Sequence, residues 1–319
     1  MKNTWLRRAA LALAGASIAL LSACGSGSVE SQLTPARVVV FGDAMADVGN
    51  NLTRYTVNDS TVSTWVEELA IDYNTGLKIL PSDQGGTGWA RGNARIVQTP
   101  DAAGNASTLT VAQQIDGFLA HDTIANNDLA IVNAGTSDLV VQMSAVLAGA
   151  QTLEQMNANA QQAGRDMAAQ VRRLVEAGAT HVLVVGPYNL GRSLWAGQIN
   201  QADALGNASL AFNNGLLLAI VDLGANVLYV DAQYYYNLVI STPNGYNLSN
   251  ATDAACGSID PGPGIGIGSG KVNSALCTPA NVVVGVDYNK YVFADALYFT
   301  PQPNRLFGDY VYNRVKARF

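Results

Sequence analysis

Val38-Val39-Val40-Phe41-Gly42-Asp43-Ala44-Met45-Ala46-Asp47-Val48-Gly49-Asn50 is the stretch around which this 319-residue chain is organised. The β-branched run 38–40 reads as a buried strand, and Gly42-Asp43 then turns the chain. A strand, a tight turn and the start of a helix carry one side chain to the carboxyl end of a sheet, over the first amides of that helix. A nucleophile would stand there, at position 44. The residue is alanine, a methyl group.

Downstream, helical periodicity covers 63–73, 109–120, 153–177, 209–223 and 304–316, with Gly178 and Gly224 as C-terminal stops. Short aliphatic runs at 129–133, 181–185 and 227–230 read as further strands, and Tyr291 to Ala294 leads into Asp295. Gly135-Thr136-Ser137-Asp138 turns the chain out of the second strand. Alternating strands and helices argue for a parallel sheet covered on both faces, a three-layer α/β/α sandwich. It forms one domain over 37–319 with no internal repeat.

The first residues lie outside that domain. Lys2, Arg7 and Arg8 precede the apolar run Ala9 to Leu20, which has signal-peptide length and is too short to span a bilayer. Leu21-Ser22-Ala23-Cys24 follows, similar to a bacterial lipobox with Cys24 as the lipidated residue. Residues 1–23 are then a lipoprotein signal peptide. Residues 24–36 form a Ser/Gly-rich tether reaching roughly 20 Å. Gly25 after the cysteine resembles lipoproteins sent on to an outer membrane, facing the periplasm or the cell surface.

The formal charge is −6, and losing residues 1–23 removes three positive charges and no negative one, leaving −9. With no basic run, nucleic acid is excluded as a partner class. With Cys24 lipidated, Cys256 and Cys277 remain as a pair in an oxidising compartment, bracketing the glycine-rich Pro261–Gly268. Closing a loop of that size removes roughly 3 kcal/mol of unfolded-state freedom. No histidine lies near to make these cysteines a metal site. A monomer with no cofactor and no metal is expected.

Phe41 to Asn50 resembles the signature Phe-Gly-Asp-Ser-Leu-Ser-Asp-x-Gly-Asn of the GDSL (SGNH) ester hydrolases. Gly88-Trp89-Ala90-Arg91-Gly92-Asn93-Ala94 is similar to their Asn-Tyr-Ala-x-Gly-Gly-Ala segment, Leu183 to Arg192 to their Leu-Pro-Asp-Leu-Gly, and Ala211-Phe212-Asn213 to their Phe-Asn helix. Phe293 to Pro301 resembles the block Phe-x-Asp-x-x-His-Pro-Thr. The resemblance covers the whole mature chain. It implies the flavodoxin-like SGNH sandwich and an acyl-ester hydrolase site.

Carried over residue by residue, the family's nucleophilic serine falls on Ala44 and its second serine on Ala46. The base falls on Tyr298, and the carboxylate that orients the base is Asp295. The oxyanion asparagine of Gly-x-Asn-Asp falls on Ser137, with Asp43, Gly135 and Asp138 as the groups flanking the substrate. Asp43 and Asp47 also fit a simpler role, fixing the turn and capping the following helix, and Asp138 could bond amides of its own turn. The family's oxyanion glycine has no clear counterpart; residues 55–59 are the nearest region and contain none. A phenol with an ordinary pKa near 10 is a poor base at neutral pH.

The only histidines are His121, in a solvated position, and His181, which opens a strand at the wrong end of the sheet. Two functions follow as expectations. One is a lipoprotein that keeps the esterase cleft without the chemistry, a binding or structural module for an acyl-ester or glycan ligand. The other is an active ester hydrolase with a non-standard mechanism. Trp89, Tyr188, Trp195 and Tyr234 to Tyr236 are aromatics that would line such a cleft or fill the core.

Overall fold

The computed structural model describes residues 33–62, 64–73 and 76–319, so the signal peptide and Cys24 lie outside the described residues. Four parallel strands form the main sheet in the order β1 (Arg37–Gly42), β2 (Asp128–Asn133), β3 (Val182–Val185) and β4 (Val227–Tyr229). Arg37 pairs with Asp128, Ala130 with Val182 and Val182 with Val227, so all four strands start at one edge. Every residue of β2 and β3 is buried, as a sheet covered on both faces requires.

The helices are α1 (Trp65–Asp72), α2 (Val111–His121), α3 (Thr136–Leu147), α4 (Leu153–Glu176), α5 (Leu194–Gln198), α6 (Ala202–Ile220), α7 (Ala232–Ser241) and α8 (Pro301–Lys316). Threonine capping boxes, Thr64 with Glu67, Thr110 with Gln113 and Thr152 with Gln155, start α1, α2 and α4. One outer layer joins α2, α3, α4 and α6; the other joins α1, α7 and α8 through Trp65, Tyr235, Tyr236 and Phe307. In the first layer α4 and α6 touch backbone to backbone. A Cβ on Gly164 would lie 2.1 Å from the Phe212 carbonyl oxygen, and one on Gly215 2.2 Å from that of Gln161. By length and composition Ala202–Asn226 is apolar enough to cross a membrane, but this contact makes α6 a packed layer of the domain.

The expected sandwich is present, with five differences. No α-helix follows β1; the next begins at Trp65. Residues 136–147 form a helix and not a turn alone, α5 and α7 were not foreseen, and α6 starts seven residues before Ser209. Tyr291–Phe293 (β8) does not extend the main sheet but pairs with β5 (Asn250–Ala254). Strands β6 (Ile259–Asp260) and β7 (Lys271–Val272) form a hairpin inside the loop closed by the Cys256–Cys277 disulfide. The disulfide packs with Val57 and Ala294 into a small second core, and the Cys256 amide donates to the Ala294 carbonyl at 3.0 Å. The bridge therefore supports the loop that carries Asp295.

Candidate functional site

The carboxyl edge of β1 is built on one glycine. Gly42 has φ 151°, and a Cβ there would lie 1.9 Å from the Asn133 carbonyl oxygen of β2. That close approach places Asp43 over the neighbouring strand, where its amide donates to Asn133 O at 3.0 Å. Its carboxylate then reaches across: Oδ2 accepts from the amides of Gly135 and Thr136, both at 3.0 Å, and Oδ1 from Met45 at 3.3 Å. Asp43 does fix its turn, but the helix it caps is α3, ninety-two residues away, and not one that follows it.

Asp47 accepts from Gly49, Asn50 and Gly92 amides at 3.0, 2.9 and 2.8 Å. Asp138 accepts from the Ile96 amide at 3.0 Å and pairs with Arg95 at 3.3 Å, instead of bonding its own turn. The three acids thus tie the edge of the sheet to segments 92–96 and 135–138.

Ala44, Ser137, Asp295 and Tyr298 come together at this edge, and all four are buried, between 0 and 2 % exposed. The Ser137 hydroxyl has no hydrogen-bond partner. Asp295 is fully used by backbone: Oδ1 accepts from Leu297 and Tyr298 amides at 2.7 Å each, and Oδ2 from Ser274 at 3.0 Å. The Tyr298 ring meets the Tyr55 ring edge-on at 5.3 Å. Tyr55 in turn lies flat against residue 92, where a Cβ would fall 1.9 Å from its hydroxyl.

The rings of Tyr55 and Tyr298 thus pack together at this edge, and the four positions are buried instead of facing an open cleft. Tyr298 is larger than the histidine of the family block, and Gly92, with no Cβ, leaves room for the Tyr55 ring. An apolar hollow of about 510 Å³ lies instead beside α1, lined by Val48, Leu52, Ile71, Leu77 and Leu80 among others, and takes in none of the four residues.

Burial pushes the Tyr298 hydroxyl well above its ordinary pKa, and the carboxyls of Asp43 and Asp295 add to the rise. The phenol is held neutral and is no base. Burial likewise raises Asp295, against its amide donors. It lifts Asp43 and Asp47 to about 7 and Asp138 to about 6, in each case against hydrogen bonds that favour the charge.

Unfolded aspartates ionise near 4. Between about pH 4 and 7 the native protein thus binds protons that the unfolded chain has lost, and stability falls as pH rises through that window. The urea midpoint is expected to be higher at pH 5 than at pH 8. An equal or lower midpoint at pH 5 would show these three carboxyls ionised in the folded state. Asp59 and Asp83, whose pKa values are lowered by burial-opposed hydrogen bonds and by Arg91 respectively, act in the opposite sense but only below pH 4.

His121 ends α2, exposed, and His181 sits at the opposite edge with its ring against Phe319 at 4.9 Å. Neither reaches the site. Tyr188, Trp195, Tyr235 and Tyr236 are core residues, and Tyr234 is exposed. The segment nearest the end of β1 is 91–93, where the Arg91 amide donates to Gly42 O at 3.1 Å and Asn93 has φ 62°. Asn93 takes the left-handed region, which asparagine tolerates. Carboxylates of Glu68, Asp72 and Asp309 approach within 4.8 Å of one another on the α1–α8 layer, away from these groups.

A parallel α/β/α sandwich with an acidic strand-end turn, an Asp-x-x-Tyr block and an amide-lined edge defines an SGNH-type scaffold. The chain belongs to the GDSL-like lipase/acylhydrolase family, whose model matches residues 38–311. Among solved structures it is similar to the native aryl esterase of M. smegmatis, at 14% identity and a TM-score of 0.47, over 89% of this chain and 99% of that one. A second solved structure aligns at 11% identity and a TM-score of 0.45, over 88% and 97%. No curated protein matches the chain.

Proposed function

We propose that this chain is a GDSL-family protein that has lost ester hydrolysis and serves as a lipid-anchored binding or structural module of a bacterial cell envelope. One observation carries the reading: the nucleophile position holds the methyl of Ala44, and the base position holds the buried phenol of Tyr298. An alanine cannot attack a carbonyl, and a phenol held neutral cannot activate water in its place. Asp295, which would orient a base, instead accepts from two amides of its own turn and from the distant Ser274 amide. Hydrolysis of short-chain aryl esters by the purified protein tests this. No rate above the uncatalysed one is expected, and saturable turnover would return the chain to the active hydrolases.

The anchor rests on the sequence Leu21-Ser22-Ala23-Cys24. Cys24→Ser is expected to move the protein from the membrane fraction to the soluble fraction while leaving it folded. Retention of the variant on membranes would refute the lipid anchor.

A further inference from the structure

Besides Leu210 in mid-helix, the exposed large apolar residues of α6 and its C-cap lie together at its carboxyl end. Leu217, Leu218 and Val221 are 39, 74 and 77 % exposed. Their spacing places them on one side of the helix end, opposite the side that meets α4. Because α6 leads into β4 of a parallel sheet, this end lies at the edge where all four strands start.

Two arginines stand beside it, one of them ion-paired. Arg172 donates to the Ala219 carbonyl and pairs with Asp222 at 2.7 Å, neutralising the one acid of that turn. Arg318, exposed at the end of α8, donates to the Gly224 carbonyl at 3.1 Å. Exposed aliphatic side chains rimmed by arginines are the composition of a surface that meets phospholipid headgroups.

The position of the chain's amino-terminal part argues for the same occupant. The described residues begin at Leu33, which is buried just before β1 starts at that edge. Eight residues, 25–32, separate Leu33 from Cys24. As a Gly/Ser-rich linker they span about 15 Å. Strands β1 and β4 are three steps apart, about 14 Å, so the linker enters at the same edge of the sheet as the end of α6.

We propose that this edge, with Leu217, Leu218 and Val221, lies on a lipid bilayer, so that the closed site at the opposite edge points away from the membrane. The inference rests on the lipid anchor proposed above and adds a contact face and an orientation to it. A second copy of the chain is the competing occupant.

The test uses the full chain, lipidated in bacterial cells, purified in detergent and reconstituted into vesicles of phosphatidylethanolamine and phosphatidylglycerol. An environment-sensitive fluorophore is placed at Leu218→Cys, or at Ala106→Cys in the exposed turn before α2 at the opposite edge. Cys256 and Cys277 are bonded and do not take the label. On vesicles, the label at 218 is expected to shift to the blue and to be quenched by a bilayer-embedded quencher, and the label at 106 to do neither. Adding Leu217→Asp and Val221→Asp should abolish the shift at 218.

Protein that floats with vesicles while 218 stays unshifted overturns the contact face and leaves the anchor standing. Failure to float overturns both. A shift at 218 that appears without vesicles and grows with protein concentration assigns the face to a second copy.

Discussion

Ala44→Ser combined with Tyr298→His is expected to raise kcat/KM on a short acyl ester about a hundredfold or more, with each single change within about tenfold of the parent, because nucleophile and base act as a unit. The serine alone is an unassisted hydroxyl, and the histidine alone has nothing to activate. The site is placed to accept both. Asp295 lies three residues before position 298, and Gly42-Asp43 still presents position 44 from the end of β1.

Two features limit the gain. Tyr55 remains packed against Gly92 and beside position 298, so the double variant should prefer the smallest acyl groups until Tyr55→Ala is added. Ser137 is shorter than the family's asparagine, and Ser137→Asn should contribute a further step, since one oxyanion donor is worth roughly 10²–10³ in rate. A double variant that folds and shows no gain would mean that positions 44 and 298 no longer stand in catalytic geometry.

Asp43→Ala is expected to cost about 3 kcal/mol of stability, the largest effect of any single change at the site. It strips the acceptor from the Gly135 and Thr136 amides, two buried donors at the start of a helix with no cap of its own. Removing a buried carboxyl also relieves its desolvation, which keeps the loss below the sum of the broken bonds. Asp43→Asn keeps one acceptor oxygen and should lose about half as much. Urea unfolding followed by circular dichroism measures both. A loss below about 1 kcal/mol for Asp43→Ala would mean that water satisfies the two amides.

That non-local cap explains what could and could not be read in the sequence. The strand before Gly42, the parallel sandwich and the pairing of Cys256 with Cys277 follow from β-branched runs, alternating periodicity and cysteine placement, and all three are in the structure. Helix α3 was taken as a turn because Gly135-Thr136-Ser137-Asp138 carries no local N-cap signal; its cap arrives from Asp43 through tertiary contact. Helix α7 was hidden by the β-prone run Tyr234 to Tyr236, although Asp231, which accepts from the Tyr234 amide at 2.8 Å, marked its start. Positions 44, 137, 295 and 298 could be aligned to the family motif because that motif is local. The packing of Tyr55 against Gly92 was not legible, because it joins two residues thirty-seven apart with no shared motif.

The account stands on the absence of an activated serine at the end of β1. Exposure of the purified protein to a fluorophosphonate probe, read by intact mass, tests this most directly. The predicted result is an unmodified mass, with Ala44→Ser/Tyr298→His labelled under the same conditions. Stoichiometric labelling of the parent protein, mapped to any serine, would contradict it.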